Sequence, residues 1–146
     1  MAIDRYILIG HEVVPFDIGE PGDPDYGDKL VAWAKAFEET DRRVAFTTVG
    51  VVDVSTVFLG LDHAWFGGAP QIFETMVFID HESVECERCA TWAQAEAQHQ
   101  AVVDAVTPLV NQAGQITRST LRAVFARGQQ QEDKGNDAAG QQPEHD

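Results

Sequence analysis

Bases are scarce in this sequence. Its 146 residues hold 10 Lys and Arg against 24 Asp and Glu, a net charge of −14. That deficit excludes a general electrostatic grip on nucleic acid phosphate or an anionic membrane, because both need a basic surface. Cysteine is nearly absent: Cys86 and Cys89 are too few for a disulfide scaffold, and a reducing cytoplasm is the expected compartment. No apolar run approaches the roughly 20 residues that span a bilayer. The opening Met1-Ala2-Ile3-Asp4-Arg5 has an acid and no apolar signal core, so no secretion signal is expected. Phosphate-binding glycine loops, G-x-S-x-G and H-E-x-x-H are missing as well. Finally, Gln129 to Asp146 lacks every large apolar residue. Such a stretch cannot bury enough surface to offset the entropy of ordering it. It is expected to be a disordered, acidic, Gln-rich tail, with residues 1–128 forming a single domain, the number this length favours.

What is present sorts into strands and helices. Arg5-Tyr6-Ile7-Leu8-Ile9-Gly10, continuing past a bend at Gly10 into Val13-Val14-Pro15-Phe16, predicts one strand. Pro15 donates no backbone hydrogen bond, so that strand ends there or lies at an edge. Residues 17–28 (DIGEPGDPDYGD) predict a loop. Leu30, Trp33, Ala34 and Phe37 recur at helical spacing behind Asp28 as N-cap, predicting a helix over 29–40. Strand-like segments follow at 43–49, 52–60 and 71–80, with a shorter one at 82–89. Gly50 marks a hairpin turn between the first two. Thr91 and Gln94 form a capping box that opens a helix over 92–107, stopped at Pro108. A shorter helix starts at Thr117 or Ser119 and closes at Gly128.

The connections between strands 43–89 are too short for crossover helices. The expected fold is therefore α+β: an antiparallel sheet of three to five strands, two main helices packed on one face, and a short C-terminal helix.

The central block is distinctive. Trp33-Ala34-x-x-Phe37-Glu38, Arg43-Val44-Ala45, Val54-Ser55-Thr56-Val57-Phe58-Leu59-Gly60-Leu61-Asp62-His63 and Phe73-Glu74-Thr75-Met76-Val77-Phe78 resemble a set of small proteins encoded in bacteriophage and prophage genomes. The resemblance runs from about Tyr6 to His99 and implies a phage origin. It implies no chemistry, and it does not extend to the cysteine pair.

The loop Asp62-His63-Ala64-Trp65-Phe66-Gly67-Gly68-Ala69-Pro70 is the first candidate site. Trp65 and Phe66 on a loop either pack or bind something. Asp62, His63 and Glu74 would form an acid–base or metal-binding cluster if the loop folds back. In the bland alternative the aromatics cover the sheet end and His63 caps the loop. Glu74 falls on a largely apolar strand whichever face it takes, so its carboxylate lines a pocket or pairs with an arginine, Arg42 or Arg43. If His63 and Glu74 meet, the imidazole pKa rises and the carboxylate pKa falls.

Cys86-x-x-Cys89 has the spacing of half a zinc site, and His81 and His99 flank it. With no second C-x-x-C, two ordinary thiols are the simpler expectation, followed by zinc and then redox chemistry. Asp23 to Asp28 fails the calcium-loop pattern, because its glycine falls one place early and Ala34 stands where the closing glutamate belongs.

The leading functional expectation is a non-catalytic phage accessory protein that binds a host or phage protein or a small ligand. It would work through Trp65, Phe66, His63 and Glu74, without cofactor, membrane or direct nucleic acid contact. A second is a small metal-assisted hydrolase using Asp62, His63 and Glu74. A third is an acidic mimic of nucleic acid that inhibits a DNA-binding enzyme. A sheet with two apolar faces and helices on only one leaves a face to bury, which predicts a two-fold dimer.

Overall fold

The computed structural model describes residues 4–64, 67–111 and 114–125. The expected tail, Gln129 to Asp146, lies outside them. The chain runs β1 (Tyr6–Ile9), β2 (Glu12–Pro15), α1 (Tyr26–Glu39), β3 (Arg43–Val49), β4 (Val52–Phe58), β5 (Phe73–Ile79), β6 (Glu82–Cys89) and α2 (Trp92–Val106). A single 3-10 turn at Thr107–Leu109 and a helical stretch over 118–125 follow. The fold is α+β. No helix of the described residues is long and apolar enough to cross a membrane.

β3 to β6 form one antiparallel sheet in chain order, and β1 pairs with β2 as a separate two-stranded sheet. The opening segment is thus a hairpin, not the single bent strand its composition suggests. Gly10 takes φ +62° and reverses the chain, so Ile9 pairs with Glu12 and Tyr6 with Pro15. α1 starts at Tyr26, earlier than Asp28 would set it. The Asp25 side chain makes no capping hydrogen bond and instead pairs with Lys29.

Strand alternation divides the main sheet into a covered and an uncovered face. Val52, Val54, Thr56 and Phe58 of β4 and Phe73, Thr75, Val77 and Ile79 of β5 are all buried beneath α2. One apolar cluster joins Val52, Val54, Val77 and Ile79 to Val102 and Val106 of α2 and to Leu121 and Phe125 of the last helix. A second joins Phe58, Ile72 and Phe73 to Ala95 and to Tyr6 and Leu8 of the hairpin. α1 completes the second: Phe37 packs on Phe58, and Trp33 donates to the Tyr6 carbonyl at 3.0 Å. Each fully buried phenylalanine contributes about 1.5–3 kcal/mol. Among the described residues, no helix lies on the opposite face. Phe46, Val57, Met76 and Phe78 lie there, with Phe46 47% exposed.

Between the two clusters runs a polar row. Thr56 and Thr75 are direct cross-strand partners, both fully buried, and His99 of α2 descends onto them. Ala45, opposite Thr56 on β3, leaves room for the imidazole.

Candidate functional site

Loop 62–71 is held shut by Asp62. One carboxylate oxygen, Oδ1, accepts the Ala64 N–H at 2.8 Å and the Gln71 N–H at 2.9 Å, and the His63 N–H donates to the Gln71 carbonyl at 3.1 Å. Asp62 therefore braces the loop. Trp65 and Phe66 lie outside the described residues. Glu74 is not taken by Arg42 or Arg43, which stack over Phe37 and Phe46 at 4.4 and 5.1 Å. Its carboxylate accepts from Arg88 Nε at 2.9 Å, and the side chain is only 12% exposed. So of the expected cluster, Asp62 is committed to backbone and Glu74 to an arginine, while His63 faces a groove described below.

The Glu74–Arg88 pair depends on a bulge. Counting back from the tight turn at Asp80-His81 would set Glu74 opposite Glu87, two like charges. A register shift between Val77 and Phe78 moves the pairing by one residue, so Glu74 meets Arg88 and Met76 meets Cys86.

That strand geometry also sets the residues of the zinc reading apart. Cys86 and Cys89 sit three apart on one strand, which turns them to opposite faces. Cys86 is exposed on the uncovered face; Cys89 packs under Trp92, where burial pushes its thiol up to about 11. His81 lies in the turn at the other end of β6, about 25 Å along the strand from Cys89 at 3.3 Å per residue. Both ring nitrogens of His99 are engaged, as shown next. Among the described residues no three His, Cys, Asp or Glu side chains converge to hold a metal ion.

The His99 contacts define its protonation. Gln98 Nε2 faces the Arg88 carbonyl at 3.5 Å, which can only accept, so Gln98 Oε1 faces Thr75 and accepts from it at 3.0 Å. A hydroxyl has one proton to give. Thr75, having given its own, accepts from Thr56 at 2.7 Å, and Thr56 in turn accepts from His99 Nδ1–H at 2.8 Å. Nε2 meets the Thr47 hydroxyl at 2.8 Å. The network places a proton on Nδ1, and burial lowers the pKa below 6.5, which favours the neutral Nδ1–H tautomer with Nε2 accepting from Thr47.

Three of the candidate residues, His63, Cys86 and Cys89, line a groove of about 700 Å3 along the outer edge of β6. Cys86, Glu87, Arg88, Cys89 and Ala90 line it consecutively, side chains of both faces included, so it follows the strand backbone. Gln94, Ala97 and Gln98 of α2 make its wall, and His63, Ala69 and Gln71 of the loop close one end. Gln94 is held by the capping box, its Oε1 accepting the Ala90 and Thr91 N–H groups. The sequence analysis names His63 and the two cysteines but misses Arg88, Ala97 and Gln98. Nothing in their spacing signals that the first turns of α2 run beside β6.

No protein family matches the chain, and comparison with curated proteins and solved structures finds no match either.

Proposed function

We propose that the chain is a non-enzymatic phage or prophage accessory protein acting in the host cytoplasm. It binds an extended, basic segment of a host or phage protein laid along β6. The observation that carries this reading is the groove between an outer strand and a helix, which accepts an added strand through backbone hydrogen bonds. The long 3.5 Å contact from Gln98 to the Arg88 carbonyl marks an acceptor that an incoming N–H would take. Glu85 and Glu87 beside it, and the net charge of −14, select for lysine and arginine in the partner. The resemblance of the central block to phage-encoded proteins supports the setting. Loop 62–71 supplies a closing edge through His63, with Trp65 and Phe66 carried by the same loop.

The test is capture from host lysate on wild type, Ala97→Arg and Trp65→Ala. Ala97 is exposed on α2, so arginine there fills the groove and leaves the core intact. A partner retained by wild type, released by salt and lost with Ala97→Arg supports the proposal. Equal capture by both chains removes the groove from it. Self-association belongs to the same reading, and its surface is argued below.

A further inference from the structure

The main sheet has two outer strands, and they differ in kind. β6 carries Glu82, Glu85, Glu87 and Arg88, so two copies meeting there would set carboxylates against carboxylates. β3 carries a single charge, Arg43 at its first residue, and no proline, lysine or acid from Val44 to Val49. Natural edges are normally guarded by such residues or by bulges. The bulge on β3 lies between Arg43 and Ala45 and leaves the rest regular. Among the described residues, the one hydrogen bond made to the backbone of this strand from outside the sheet is the Asp41 carboxylate accepting the Arg43 N–H at 3.1 Å; the Thr47 side chain meets His99 on the covered face. Phe46, at the midpoint of β3, is 47% exposed on the face that no helix covers.

We propose that a second copy of this chain adds its own β3 to this edge, antiparallel about a two-fold axis through Phe46. The sheet then runs continuously across both copies. Three observations select this occupant. A dyad at the midpoint pairs Phe46 with its own equivalent on the same face, an aromatic cross-strand pair. It continues the uncovered face, with Val57, Met76 and Phe78 of each copy, across the seam. It also matches charge. Arg43 stands at one end of β3; at the other, Thr48 hydrogen-bonds Asp53 at 2.7 Å. Antiparallel pairing brings each Arg43 to the other copy's Asp53 end, an attraction set against the repulsion between two bodies of charge −14. The proposal does not rest on the groove along β6.

Sedimentation of the full chain at micromolar concentration tests it. Wild type is expected to be a dimer. Phe46→Glu sets two carboxylates at the axis and raises the dimer dissociation constant by about tenfold or more. Arg43→Glu weakens the dimer, and adding Asp53→Lys to it restores the dimer. In a Cys86→Ser background, Phe46→Cys is joined to its equivalent in the other copy by a short bifunctional thiol reagent, because directly opposed residues have Cβ atoms about 4.5–5.5 Å apart. If Phe46→Glu loses its far-UV dichroism, this cross-link decides, and its absence overturns the proposal. A monomeric wild type, or a dimer indifferent to Phe46→Glu, overturns it as well. A dimer that persists while Ala97→Arg loses its captured partner supports both readings separately.

Discussion

The imidazole of His99 is neutral because burial and its two hydroxyl partners, Thr47 and Thr56, leave no place for a second charge-solvating shell. Its folded pKa lies below the unfolded value of 6.5. Above that value both states are neutral and its contribution to stability is complete. As pH falls through 6.5 the unfolded chain takes the proton first, so stability is lost until the folded value is passed. The urea midpoint of wild type should therefore drop more between about pH 7.5 and about pH 5 than that of His99→Gln, which cannot titrate. Parallel pH profiles for the two proteins would refute the assignment. The residue's chemistry is visible in the sequence, where His99 stands out among the alanines of a helix, but its partners are not. Thr47, Thr56 and Thr75 read there as ordinary strand formers. Glu74 behaves alike: an acid on an apolar strand signals a partner, yet only the bulge after Val77 makes that partner Arg88 and not the repelling Glu87. A bulge leaves no mark in hydrophobic alternation, which is why the pairing of Glu74 with Arg88 could not be read from spacing.

Elements with local signals are the ones composition predicts well. β3 to β6 and their antiparallel order follow from β-branched runs and short connections, and α2 opens at Thr91 as its capping box dictates. There Thr91 accepts the Gln94 N–H at 3.1 Å while Gln94 reaches back. Thr91→Ala should cost about 1 kcal/mol. For a domain of this size that lowers the melting temperature by about 4 °C, and an unchanged calorimetric transition would show the cap to be idle. The last helix likewise begins near Thr117, whose hydroxyl accepts the Thr120 N–H at 3.2 Å. Elements whose limits depend on distant packing are read less well. Among the described residues the β1–β2 hairpin pairs with no strand of the main sheet; it is held by the Tyr6 N–H to Gly60 carbonyl bond at 2.9 Å just past β4, by burying Tyr6 and Leu8, and by stacking His11 on Trp92 at 3.8 Å. None of those contacts is local in sequence, so a bent strand and a hairpin are indistinguishable there until the core is assembled.

Across the whole molecule, the connections of the sheet are unequal. β3 meets β4 through the tight turn at Gly50-Val51, and β5 meets β6 through Asp80-His81, whose φ angles of 50° and 67° suit a narrow reversal. β4 and β5 are joined by the longer loop 59–72, aligned at its base by the Leu59 N–H to Ile72 carbonyl bond at 2.7 Å and by the Asp62 brace. Their apolar residues alternate so evenly that sliding one strand past the other by a full pleat would keep the inward-facing valines and phenylalanines inside. Thr56 and Thr75 break that degeneracy, because a slid pairing would strand both hydroxyls and His99 against hydrocarbon. The buried polar row thus works as an index mark, spending stability to make one alignment unique. Erasing it separates the two quantities. The triple variant Thr56→Val, Thr75→Val, His99→Leu is expected to unfold within about 2 kcal/mol of wild type, since the replacement is apolar and the groups that lose a partner, Thr47 and Gln98, are only half-buried. Its amide spectrum should nevertheless show more than one set of resonances along β4 and β5. A single set would mean that the vernier lies elsewhere. Two populations would mean that this chain, without three polar side chains, remains folded but no longer knows which of its strands' neighbouring notches to occupy.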